Sequence, residues 1–249
     1  MAAWDSGEFR DERLYWSVGI HPYSAADFEA RLLEEPELEQ RMLSLAAHPR
    51  CVAVGECGLD YCKTYESHEA QKRVCAKICQ LALRLNKPLI VHARDAANDI
   101  FTILRANVPA NWPIHLHGYT GEARHVKELF SSFSSLYVGF CGAITISNFG
   151  ASCNDCAPLW LPGCRSCGGK SDWVLRDLDA LVNAVPLDRL LLETDAPYMA
   201  PVKFGWNACQ PWMVTGVADH VAEKKGVTVT DVIAASNQNA KRVYGLDVS

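Results

Sequence analysis

The chain has 249 residues, 49% of them hydrophobic and 21% charged, with a formal charge of -5; this is the make-up of an average globular protein and excludes intrinsic disorder and a coiled coil. Net negative charge opposes loose attraction to nucleic acid, because that attraction needs lysines and arginines to displace phosphate counterions, so any phosphate binding must be local. No apolar run reaches the roughly 18 residues of a membrane span, and the opening MAAWDSGEFRDERLYW lacks the basic patch and apolar stretch of a signal peptide, so an intracellular chain, cytoplasmic or nuclear, is expected, with its eleven cysteines as thiols.

Taken in chain order, the first apolar segment is YWSVGIH (15 to 21), read as a buried strand that ends on His21. Ser24 with Asp27 predicts a capping box for the helical pattern behind it. CVAVGEC (51 to 57) is the next strand and carries Glu56; a helix then runs to Asn86, where Asn-Lys-Pro predicts a stop. PLIVHA (88 to 93), PIHLHG (113 to 118) and LYVGFCG (136 to 142) follow, each after a helical stretch, the first two ending on His92 and His117. From 151 to 170 the rhythm breaks into ASCNDCAPLWLPGCRSCGGK, read as an insertion on the same side as the strand-end residues. A helix, WVLRDLDALVNAV, and a sixth strand, RLLLET (189 to 194), come next. The tail, from about 211 to 244, reads as two amphipathic helices, the second opened by Thr228 and Asp231.

Alternating strands and helices imply parallel strands with right-handed crossovers, either in an open doubly wound sheet or in a barrel. Polar residues recur at nearly every strand end, and a barrel gathers such residues from many strands over one mouth. The expected fold is therefore an α/β, TIM-like (β/α) barrel formed by residues 1 to 249 as one domain. Six strands are counted where a closed barrel has eight, so two are expected to be missing. Nothing ahead of YWSVGIH supplies them, which predicts an incomplete version of a longer protein whose open edges seek partners.

Glu56, His92, His117 and Asp195 offer two carboxylates and two imidazoles from four strands, the N/O ligand set of a hydrolytic divalent cation such as magnesium, manganese or zinc. A lone histidine at a strand end is more often a hydrogen-bonded core residue. Four ionisable groups around one cavity are another matter, because burying them without a cation costs several kcal/mol per charge, on the order of magnitude known for buried ions. His115 lies two residues before His117, on the same strand face, and competes as a ligand; the strand end favours His117. Glu193 and Asp195 raise the same parity question, and the following Ala-Pro, which puts Asp195 at the mouth, favours Asp195 as the ligand. Arg94 is placed to pair either with phosphate or with a ligand carboxylate. Tyr61, Tyr65, Tyr119, Tyr198, Phe204 and Trp206 follow strand ends, where rings stack unpaired bases or simply pack, and Lys203 is the nearest cation for a backbone phosphate. In the insertion, Cys153-x2-Cys156-x7-Cys164-x2-Cys167 has the paired spacing of a four-cysteine structural zinc knuckle, with a metal-free loop as the alternative. Cys75 and Cys79, one helical turn apart, are expected to face the core.

GECGLDY (55 to 61), VHARDA (91 to 96), HGYTG (117 to 121) and ETDAPY (193 to 198) resemble the TatD deoxyribonuclease family, as do GIHP (19 to 22) and the closing pattern around Asn239, Ala240 and Val243 to Leu246. The resemblance implies a TIM-like barrel that cleaves DNA, single-stranded or at strand ends, with a divalent metal, often from the 3′ end. It puts Glu56, His92, His117 and Asp195 on the family's metal positions, Glu56 and Asp195 at the reaction centre, and Glu56 as the bridge to any second metal. The His-x-His strand that opens many family members is absent from this chain. Two other readings stay open beside the nuclease: a catalytically silent TatD-like fragment or nucleic-acid-binding module, and a metal hydrolase of small substrates.

Overall fold

The computed structural model describes residues 14–62, 67–146, 177–205 and 208–246. Six strands form one sheet in chain order: β1 (Trp16–Val18), β2 (Cys51–Asp60), β3 (Leu89–Arg94), β4 (Ile114–His117), β5 (Leu136–Phe140) and β6 (Leu190–Leu192). Every neighbouring pair is parallel. The crossovers carry α1 (Ala25–Glu34) and α2 (Glu37–Ala47), then α3 (His68–Leu85), α4 (Ala97–Asn107), α5 (Ala123–Ser132) and α6 (Leu178–Ala184), while α7 (Val214–Lys225) and α8 (Val229–Tyr244) follow the last strand. All six expected strands are present. Among the described residues β1 and β6 each have one strand neighbour, so the sheet is not closed and the architecture is that of an incomplete TIM-like barrel.

Strands of a parallel sheet are covered on both faces, which is why they read as continuous apolar runs. All five residues of β5 are buried. The covering helices present apolar stripes at three- and four-residue spacing; α3 buries Val74, Cys75, Ile78, Cys79 and Ala82 in this way against β2. Cys75 and Cys79 therefore face the core as expected, in contact with Cys57 of β2. The seven described cysteines are all free thiols.

Helix ends follow the expected chemistry in two places and depart from it in one. Asn86 adopts the left-handed conformation, φ 50°, and ends α3 ahead of Pro88. Thr228 and Asp231 form a reciprocal capping box on α8. Ser24, by contrast, closes a 3-10 turn (Pro22–Ser24) with φ -103° and ψ 5°, outside the extended region an N-cap needs, and its side chain caps nothing. The side-chain cap in this segment is on the 3-10 turn itself, where His21 Nδ1 receives the Tyr23 amide at 3.1 Å, and α1 has none. The cysteines 153, 156, 164 and 167 and the whole 151–170 insertion lie outside the described residues. Among the described residues no helix is long and apolar enough to cross a membrane.

Candidate metal centre

Strand register brings the polar ends together. Gly58 of β2 pairs with His92 of β3, and His92 pairs in turn with His117 of β4. Gly58 has φ +139°, and a Cβ there would meet the His92 carbonyl at 2.0 Å, so the close approach of β2 and β3 beside His92 requires glycine. β6 ends just before Glu193 and Asp195. Glu56 in the second half of β2, His92 and His117 toward the ends of β3 and β4, and Asp195 just after β6 thus come to one mouth.

Glu56 lies between the two imidazoles: its Oε1 is 2.8 Å from His92 Nδ1 and its Oε2 is 3.9 Å from His117 Nε2. His117 Nε2 is also 3.5 Å from Asp195 Oδ1. The far nitrogen of each ring is held by a carboxylate. His92 Nε2 is 3.0 Å from Asp60 Oδ2, and His117 Nδ1 is 2.6 Å from Glu193 Oε2. Asp60 is buried and fully engaged, accepting the Tyr23 hydroxyl at 2.8 Å and the Cys62 amide at 2.9 Å, while the Gln71 carboxamide clamps its backbone. Glu193 Oε1 accepts the Gly118 amide at 2.5 Å. Asp195 is the open member, with 41% of its side chain exposed.

Ionisation follows from this packing. Burial disfavours the charged forms, but contacts between opposite charges outweigh it at most positions. For Glu56, burial pulls upward while the His92 hydrogen bond and the charges of His117, His92 and His21 bring its carboxyl below the ordinary range. Asp60 is lowered against its own burial, chiefly by the hydrogen bond from His92. Burial also works against imidazolium at His117, yet Glu193, Asp195 and Glu56 together hold its pKa well above the usual histidine value. His92 is raised in the same way by Asp60 and Glu56. Glu193, buried between His115 and His117, is driven far below the carboxylate range.

Other residues singled out in the sequence lie elsewhere or are already engaged. Lys203 forms an ion pair with Asp219 and sits 4.7 Å from the Phe204 ring centroid. Tyr119 is 1% exposed and packed in the core, where it also lines a cavity of about 520 Å³ between α4 and α5; none of the four metal-ligand candidates lines that cavity. Tyr61 bonds Asp99 at 2.6 Å and stacks on His68. Arg94 ends β3 with its backbone paired to β2, and its charge is felt by the Tyr23 hydroxyl. Tyr198 is exposed, its amide bonded to the Asp195 carbonyl, and Trp212 is exposed against the Phe204 ring. Tyr65 and Trp206 lie outside the described residues.

Several members of the cluster escape a reading of strand ends alone. His21, Glu56 and His92 form one group whose ligand atoms lie within 4.8 Å of one another, and His115, His117 and Glu193 form a second. Asp60 had a signal: it stands four residues after Glu56 on a strand and hence on the same face. Tyr23 and Tyr244 had none, because their partners are distant in sequence.

A parallel α/β barrel sheet whose strand ends gather histidines and carboxylates at one mouth has the architecture of a metal-dependent hydrolase. The chain belongs to the TatD-related DNase family, whose model matches residues 3–245. Similar proteins include the human 3′-5′ RNA nuclease TATDN2, 31% identical over 244 residues, covering 96% of this chain but only 28% of the human protein. The metal-dependent hydrolase YcfH of Escherichia coli K12 is 32% identical over 238 residues, covering 96% of this chain and 76% of that one. The crystal structure of YJJV, a TatD homologue from Escherichia coli K12, superposes with a TM-score of 0.73 at 21% identity, covering 98% of this chain and 80% of that one, which speaks to the fold.

Proposed function

We propose that Glu56, His92, His117 and Asp195 hold a divalent cation, magnesium, manganese or zinc, and that the chain hydrolyses phosphodiester bonds of single-stranded DNA or strand ends from the 3′ side. The observation that carries this reading is the position of Glu56, one oxygen turned to His92 and the other to His117, with Asp195 completing the mouth. The donor set fits a cation: each imidazole has one nitrogen bonded to a buried carboxylate, which leaves the other turned toward Glu56, the arrangement that orients metal-ligating histidines. A nucleic-acid strand as substrate is supported by the family's description as a DNase, and 3′ polarity by the name of the human relative.

When bound, a divalent cation supplies Lewis acidity to a phosphoryl oxygen and to the attacking water. The protein's own contribution is positional. Asp195, the most open carboxylate of the four, accepts the proton of the attacking water. Arg94, at the end of the strand that carries His92, already has a partner, and a phosphate contact would share its guanidinium with that partner. Lys203 stays with Asp219.

The test is cleavage of 5′-labelled single-stranded DNA, duplex DNA and single-stranded RNA by the purified chain with magnesium, manganese, zinc or a chelator. The reading expects a ladder of single-stranded DNA shortening from the 3′ end, lost with the chelator. Cleavage that persists without metal, or none with any of the three ions, overturns it.

A further inference from the structure

β4 carries two histidines on one face at two depths. His117 reaches the mouth; His115 lies beneath it, 6% exposed, with the ring centroids 6.0 Å apart. Glu193 joins them, its Oε2 standing 2.6 Å from His117 Nδ1 and 3.1 Å from His115 Nε2. On its other side His115 Nδ1 meets the hydroxyl of Tyr244 at 2.5 Å. Tyr244 is the last residue of α8, packed with Ala240 against Tyr137, Leu191 and Val243. β5 makes room for the junction with Gly139, where a Cβ would come within 2.2 Å of Glu193 Oε1 and 2.3 Å of His115 Nε2.

A neutral imidazole has one N–H and one bare nitrogen. Were the His115 proton on Nδ1, a bare Nε2 would face the Glu193 carboxylate, lone pair against negative charge. The Tyr244 hydroxyl at Nδ1 can donate there only when that nitrogen is bare, so Tyr244 and the Glu193 charge favour the same tautomer, with the proton on Nε2 facing Glu193. The same carboxylate oxygen then bonds the His117 ring at 2.6 Å and has the His115 Nε2 beside it at 3.1 Å, a charge contact without hydrogen-bond alignment, while the other oxygen takes the Gly118 amide. Held on these sides, Glu193 demands the proton of His117 at Nδ1, which leaves Nε2 bare toward Glu56 and Asp195.

We infer that Tyr244, through His115 and Glu193, fixes the nitrogen that His117 presents to the metal, so that the closing helix is a positioning element of a metal centre it does not touch. The inference rests on His117 being a ligand. The competing view is that Tyr244 merely anchors α8. Val243, its buried neighbour in the same cluster, separates the two, because Val243→Ala loosens the anchor without entering the relay.

The experiment measures Mn2+ affinity by calorimetry, and thermal stability, for the parent, Tyr244→Phe and Val243→Ala, with the His115 tautomer read from 15N NMR of the metal-free chain near pH 8. Expected are a single tautomer in the parent with the proton on Nε2, a mixture in Tyr244→Phe, and Mn2+ binding weakened about 10-fold in that variant, the lower end of what outer partners of metal ligands contribute. Val243→Ala should melt earlier and bind Mn2+ within about twofold of the parent, a difference too small for a lost partner of a ligand. A parent His115 protonated on Nδ1, unchanged affinity in Tyr244→Phe, or equal weakening in Val243→Ala overturns the relay. A parent that binds no Mn2+ sinks the metal reading itself and this role with it, whereas Mn2+ binding indifferent to Tyr244→Phe sinks the relay alone.

Discussion

Glu193 and Asp195 differ by two positions and by what surrounds them. Glu193 is buried between two histidines and a backbone amide, so its charge is spent on orientation; Asp195 keeps an open face beside His117. Asp195→Asn retains the shape and loses the charge, and should reduce metal-dependent cleavage on the order of 10²-fold or more with the melting temperature nearly unchanged, as a steady-state assay beside a thermal melt will show. In the sequence the Ala-Pro after Asp195 is the feature that points it to the mouth, and in the structure its side chain is 41% exposed against 13% for Glu193. The sequence did not show that Lys203 pairs with Asp219 or that the Tyr119 ring is buried, since both depend on residues brought together only by the fold. The titrating pair supplies a second prediction. His117 is raised above 6.5, so its favourable contribution is complete below that value and is lost as pH rises through its folded pKa. Glu193 is depressed from 4.5, so its contribution is complete above that value and is lost as pH falls through its folded pKa. Melts of the chelator-treated chain across pH should therefore place the pair's stabilisation between these limits and show it declining on the alkaline side. Mn2+ affinity should run the other way, rising with pH as His117 sheds the proton that competes with the metal.

At the scale of elements, the mouth depends on what the strands leave out as much as on what they present. Gly139 of β5 stands where Glu193 and His115 meet, and any side chain there must displace one of them. Gly139→Ala is expected to destabilise the fold by about 1–3 kcal/mol, the usual cost of overpacking, and to weaken Mn2+ binding as well. Denaturant unfolding and calorimetry measure the two effects separately; a stable variant with parental Mn2+ affinity would mean that the junction tolerates a methyl. All six strands were legible in the sequence because strands covered on both faces leave continuous apolar runs between helical patterns. The absence of a Ser24 cap was not, since Ser24 closes a 3-10 turn that starts at Pro22 and is held by the His21 cap and the Tyr23–Asp60 hydrogen bond, which the Ser-x-x-Asp spacing does not show.

For the whole molecule, the candidate ligands come from four strands of a sheet that does not close on itself among the described residues, with β1 and β6 at its two edges. A cation held by Glu56, His92, His117 and Asp195 would tie β2, β3 and β4 to the segment after β6, spanning nearly the full width of that sheet. Metal that binds the folded chain and not the unfolded one stabilises it by mass action, about 2.7 kcal/mol at a hundredfold excess over Kd. For a chain of this size each kcal/mol moves the melting temperature by about 2–4 °C, so saturating Mn2+ should raise it by roughly 5–10 °C over the chelator-treated state. His117→Ala should abolish that rise, because it removes the ring that stands between Glu56 and Asp195. Thermal melts of both proteins with and without Mn2+ measure it, and an equal rise in the variant would place the stabilising ion somewhere other than this mouth.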